Sequence, residues 1–131
     1  KHGYTYGSYT NLEPFAQKGE FTISMSTKKA SAADSLKVTR QVVQDYIAQG
    51  PTDAQLQQAK ANIIGGFPMR FDTNAKLLSW LGTIGFYDLP SDYLDTYTQK
   101  VQALTTAQIR DAWQRRIKVE DLNVVIVGGE K

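Results

Sequence analysis

Apolar positions recur along this chain with two different periods. Near its start they alternate: in Glu20-Phe21-Thr22-Ile23-Ser24-Met25-Ser26 the residues Phe21, Ile23 and Met25 share one face. Tyr4 to Thr10 is rich in aromatic and β-branched residues and predicts a strand of its own. Between them, Asn11 to Gly19 contains Pro14 and Gly19, which predicts a loose hairpin or a covering loop anchored by Leu12 and Phe15. From Ala32 to Gln49 the spacing becomes helical, carried by Leu36, Val43 and Ile47 with Val42 and Tyr46, until Gly50-Pro51 ends the run.

Capping signals then divide the middle of the chain. Thr52 and Gln55 stand at capping-box spacing, which satisfies two free backbone donors, and open a helix through Leu56, Ala59 and Ile63 to Gly65-Gly66. Asp72 or Thr73 caps a third helix that carries Leu77, Leu78, Trp80, Leu81 and Ile84. After the turn Asp88-Leu89-Pro90, Ser91 is the expected cap of a fourth, whose Leu94, Tyr97, Val101 and Leu104 form a core face. Thr105 and Gln108 repeat the capping box ahead of Ile109, Ala112, Trp113 and Ile117, and Arg115, Arg116 and Lys118 suit the negative end of that helix. Leu122-Asn123-Val124-Val125-Ile126-Val127, closed by Gly128-Gly129, predicts a buried strand. The fold class is therefore α+β: an antiparallel or mixed sheet of two N-terminal strands plus one C-terminal strand, covered by about five helices, in a single domain over residues 1–131. Three strands leave open edges, so an upstream segment is expected to complete the sheet.

Composition narrows the function classes. A chain of 131 residues with 41% hydrophobic content buries one ordinary core. Fifteen Lys and Arg against thirteen Asp and Glu leave a scattered net charge of +2, which carries no nucleic-acid footprint. No apolar run approaches the roughly 20 residues that span a bilayer, so no membrane insertion is expected. The absence of cysteine excludes disulfides and thiolate metal sites.

Most catalytic patterns are missing. His2 is the sole histidine, at a chain end, and receives no role; there is no HxxEH, no calcium-loop spacing and no GxSxG around Ser8 or Ser35. Gly65-Gly66 and Gly128-Gly129 lack a phosphate-binding context and read as punctuation. No metal or cofactor site is expected. What remains is the run Gly3-Tyr4-Thr5-Tyr6-Gly7-Ser8-Tyr9, where a strand would put Tyr4 and Tyr6 on one face and Tyr9 on the other. A phenol so placed can donate to an oxyanion, but aromatic residues in strands more often cover a sheet face, and the residues alone favour packing. Arg70, in Phe67-Pro68-Met69-Arg70-Phe71-Asp72-Thr73, is expected to make an ion pair or cap a neighbouring carbonyl.

The tyrosine strand, Phe21-Thr22-Ile23, the Gly50-Pro51-Thr52 break, the Arg70-Phe71-Asp72-Thr73 turn, Leu104-Thr105 and Val124-Val125-Ile126-Val127-Gly128 together resemble the pitrilysin or insulinase (M16) zinc peptidases over essentially the whole chain. The likeness is to the second half of the C-terminal, non-zinc domain of the bacterial, processing-peptidase-like branch. The resemblance implies a LuxS/metallopeptidase-like half-domain, with zinc held by an HxxEH-bearing domain or subunit that is its partner. It implies Tyr6, with Tyr4 as the fallback, as the residue that hydrogen-bonds the scissile carbonyl of a peptide substrate, beside an Arg expected before Lys1. The chain would then be the substrate-binding, oxyanion-stabilising part of a zinc metalloendopeptidase, not catalytic alone, in the periplasm or alternatively the cytoplasm. The alternative within the same resemblance is an inactive, core-type scaffold. A further reading is a module that captures an extended peptide on its sheet edge.

Overall fold

The computed structural model describes residues 3–5 and 7–128, so the candidate Tyr6, and with it His2, lies outside the described residues. Two strands, β1 (Ser8–Glu13) and β2 (Glu20–Met25), precede five helices: α1 (Ala32–Gln49), α2 (Asp53–Gly66), α3 (Asn74–Phe86), α4 (Tyr93–Ala103) and α5 (Thr106–Arg116). Short 3-10 turns occupy Lys29–Ser31, Pro68–Arg70 and Val119–Asp121. The class is α+β, as the pattern predicts. The chain divides into two compact units, Lys1–Ala48 with Gln114–Lys131, and Gln49–Trp113.

In the first unit β1 and β2 form an antiparallel hairpin, in register from Ser8↔Met25 to Glu13↔Glu20. The alternation of β2 does what period two dictates: Phe21, Ile23 and Met25 are half-buried while Thr22 and Ser24 are exposed. On α1, Val43 is buried and Leu36, Tyr46 and Ile47 are half-buried. The Thr39 hydroxyl lies 3.7 Å from the Met25 sulfur and ties the helix to β2.

Two expectations about strands are corrected. The strand expected over Tyr4 to Thr10 starts later than its composition suggests: Ser8, Tyr9 and Thr10 pair as expected, but the ladder begins only at Ser8 and runs on to Glu13, into the stretch expected to be loop. Among the described residues the sheet has two strands rather than three: residues 122–127 enter no ladder, and Val125 and Val127 are 86% and 91% exposed. β-Branched residues favour extended backbone, but a strand also needs a partner for its backbone groups, and the described residues supply none here.

The second unit begins where α1 stops, at Gly50, whose φ of 71° needs a residue without Cβ. An added Cβ would also lie 2.8 Å from the Cβ of Arg110 on α5. Both predicted capping boxes form. The Gln55 amide donates to Thr52 Oγ1 at 3.2 Å and the Thr52 amide to Gln55 Oε1 at 2.8 Å. Thr105 and Gln108 repeat the exchange at 2.9 and 3.2 Å. Of the two candidate caps for α3, Thr73 is the one used, accepting from the Lys76 amide at 3.3 Å. Ser91 does not cap α4: Asp92 holds the N-cap position without a side-chain bond, and the Thr96 hydroxyl donates to the Asp92 carbonyl instead.

Helices α2 and α4 pack together, with Phe67 and Val101 buried. The Phe67 ring stacks on Tyr97 with centroids 4.7 Å apart and meets Phe71 edge-on at 5.0 Å. Trp80 and Ile84 of α3 are half-buried, but Leu78 and Leu81 are 70% and 54% exposed. The helix is apolar on more than one face, and only one of them is packed among the described residues. In the Arg70 turn the ion pair belongs to Lys76, 2.7 Å from Asp72, while Arg70 contributes its carbonyl as acceptor for the Trp80 indole at 3.2 Å.

Candidate functional site

A groove of about 300 Å³ opens in the first unit between the hairpin, α1 and the segment that precedes β1. Ile23 and Met25 of β2 and Val38, Val42 and Val43 of α1 give it apolar walls; Ser8 and Thr10, the cross-strand partners of Met25 and Ile23, line it as well, with Tyr4 and Thr5 of the segment before β1. The position follows from the sequence: β2 turns its apolar face toward α1, and β1 begins just after the segment that carries Tyr4.

Two threonines shape the tyrosine-bearing side. The half-buried Thr27, just past β2, donates its hydroxyl to the Tyr4 carbonyl at 2.7 Å. Thr5 folds the chain locally, its Oγ1 donating to the Gly7 carbonyl at 2.6 Å and accepting from the Gly7 amide at 3.1 Å. A Cβ at Gly7 would lie 2.8 Å from the hydroxyl of Tyr9, the far end of an exposed side chain that can move aside. On α1, Thr39 and Ser35 donate to the carbonyls of Ser35 and Ala32 at 2.8 and 2.9 Å. Both hydroxyls bond a carbonyl of their own helix, and that of Thr39 also lies against the Met25 sulfur.

The arrangement can bind but has little means to react. Tyr4 is the one ionisable residue among the lining groups named for the groove, and no acid, base or imidazole stands beside Ser8 or Ser35 there. Tyr46, on α1, has its phenol pKa raised above 10.0 by desolvation, and it is not a lining residue. The donor set does not fit zinc: the sequence has one histidine and no cysteine, and no cluster of three His, Asp or Glu occurs among the described residues. No described helix is long and apolar enough to cross a membrane.

Of the residues singled out from sequence, the structure brings the fallback Tyr4 to the groove, and Arg70 lies in the other unit. Thr5 and Thr27 were not foreseen. The Thr5-Tyr6-Gly7 order carries a recognisable turn signal, whereas the Thr27 bond spans 23 positions and leaves no local trace.

No family model matches the chain. Among curated proteins it is similar to the non-peptidase homolog YmxG of Helicobacter pylori, 24% identical over 132 residues, covering 100% of this chain and 30% of that protein. Among solved structures it is similar to a peptidase M16 inactive domain from Pseudomonas fluorescens, with 33% identity and a TM-score of 0.84, covering 91% of this chain and 28% of that one. The chain thus spans less than a third of either relative. Over nine-tenths of its length it has the fold of part of a peptidase M16 inactive domain.

Proposed function

We propose that this chain is a structural part of an M16-type protein that has no peptidase activity of its own: a scaffold segment that packs with further M16-type domains and holds no zinc. The observation that carries this reading is the likeness to a domain described as inactive, at 33% identity and a TM-score of 0.84. The relation to a non-peptidase homolog points the same way. The chemistry agrees, since a groove lined by hydroxyls and aliphatic side chains supplies neither metal ligands nor an acid–base pair. On this reading the partner is an M16-type domain or subunit. The branch within the family and the compartment follow from resemblance alone.

A second reading keeps a peptide in the account. It is favoured by one observation: Tyr4 borders the groove, and its segment is held there by hydroxyl bonds. In this reading Tyr6, or Tyr4, lends a phenol to a peptide carbonyl while a zinc-bearing partner domain hydrolyses it. Removing one such donor costs about 2.7–4 kcal/mol of transition-state stabilisation, a rate loss of roughly 100- to 1,000-fold. Hydrolysis of an unfolded polypeptide by the full-length protein together with its zinc-bearing partner, compared across wild type, Tyr6→Phe and Tyr4→Phe, separates the two. The scaffold reading expects equal rates. A loss of that size in either variant replaces it with the second reading.

A further inference from the structure

We propose that residues 123–127 are an interaction edge, at which this chain pairs in a β-sheet with an extended, apolar strand from the part of its own polypeptide outside residues 1–131. The proposal rests on the part of the reading above that makes this chain one segment of a larger M16-type protein. The edge is bounded at both ends. A 3-10 turn at Val119–Asp121 anchors its start through the buried Val119, and the Leu122 amide makes that turn's last bond, to the Val119 carbonyl at 3.3 Å. Leu122 is already extended, at φ −73° and ψ 115°, and the backbone runs on without a bend until Gly128, where a φ of 91° turns it. Among the described residues, no backbone amide or carbonyl of residues 123–127 takes part in a hydrogen bond.

The side chains say what kind of neighbour fits. Leu122 is half-buried and Val124 and Ile126 are 43% and 63% exposed, against 86% and 91% for Val125 and Val127, so the run keeps the two faces of a strand. Both faces are apolar, which suits a strand enclosed on both sides rather than one at a surface. Left in water, such a run beside unpaired backbone groups is prone to aggregate, and it contains no proline or charged residue to blunt it. An extended chain satisfies the backbone groups and the side chains together, whereas a helix would cover the side chains alone. Length points to the source. The Pseudomonas fluorescens domain matches 91% of this chain over only 28% of its own, so a relative 33% identical carries most of its residues elsewhere in the same polypeptide.

The test is amide hydrogen exchange, read by NMR on the full-length protein isotope-labelled in residues 1–131 alone, with light scattering on the same sample. Amides among residues 123–127 should exchange at least about 100-fold more slowly than those of an open chain. Alternate amides are slow if one neighbour is paired, and all of them if there are two. Isotope-filtered nuclear Overhauser contacts should link them to unlabelled protons while the protein scatters as a monomer. Open-chain exchange at these positions overturns the proposal. So do slow amides whose contacts stay within the labelled residues, which would assign the pairing to this chain itself, and protection that disappears on dilution of a dimer, which would assign it to a second copy. The scaffold reading fails separately, if the same sample binds stoichiometric zinc and cleaves an unfolded polypeptide.

Discussion

The ammonium of Lys60, only 6% exposed, donates to the carbonyl of Gln102 at 2.8 Å, so the last turn of α4 is held on α2 by a charge as well as by apolar contact. The free carbonyls at a helix C-terminus carry partial negative charge, which makes them a suitable partner for a buried cation. Lys60→Ala should destabilise the protein by about 2 kcal/mol, through the lost charged hydrogen bond and the lost packing of the stem. Lys60→Met, which keeps the stem, should cost about 1 kcal/mol. Urea denaturation of the three proteins measures both, and equal stability of Lys60→Ala and wild type would show that the bond adds nothing.

Phe67 is the aromatic anchor of the second unit, 5% exposed between Tyr97 and Phe71. Truncating it leaves a cavity next to two rings. Phe67→Ala should cost about 3–5 kcal/mol, and Phe67→Leu distinctly less because most of the volume is kept. Thermal unfolding gives the order, and the near-ultraviolet circular dichroism signal of the tyrosines should fall with Phe67→Ala.

The capping boxes at Thr52 and Thr105 predict a matched pair of smaller losses. Thr52→Ala and Thr105→Ala each remove the acceptor for a helix amide, at about 1 kcal/mol, while the serine variants should stay near wild type. If the alanine variants unfold at the wild-type urea midpoint, the caps are not contributing.

Tyr46 introduces a pH dependence with a definite sign. Desolvation favours its neutral phenol and raises its pKa above 10.0, so the folded chain keeps a proton that the unfolded chain releases. The stability tied to this group is therefore complete below pH 10 and is lost as pH rises from there through the folded pKa. Chemical denaturation measured on both sides of that value should show a shallower alkaline decline for Tyr46→Phe than for wild type. An identical decline in both would assign the alkaline loss to other groups.

The helices were legible because their signals are local. A threonine and a glutamine three positions apart determine where α2 and α5 begin, and Gly50 with its left-handed backbone determines where α1 ends. The alternation in β2 worked for the same reason. What failed depended on partners. The Val124 to Val127 run has strong β propensity but finds no ladder among the described residues, and Leu78 and Leu81 of the apolar α3 are exposed there. The tyrosine run was legible in its second half only: Ser8 to Thr10 pair as their composition predicts, whereas Thr5 bonds Gly7 and the Tyr4 carbonyl accepts from Thr27 ahead of the ladder. Of the candidate site, Tyr4 was named in advance, whereas the groove depends on how the hairpin meets α1 and the Thr27 bond on a contact 23 residues long.

The central claim is that this chain belongs to a protein without peptidase chemistry of its own. The most direct measurement is the hydrolysis of an unfolded polypeptide by the purified full-length protein in buffered zinc, with bound metal determined on the same sample. The account predicts no stoichiometric zinc and a cleavage rate no higher than that of the buffer. One bound zinc per chain with cleavage that a chelator abolishes would contradict it.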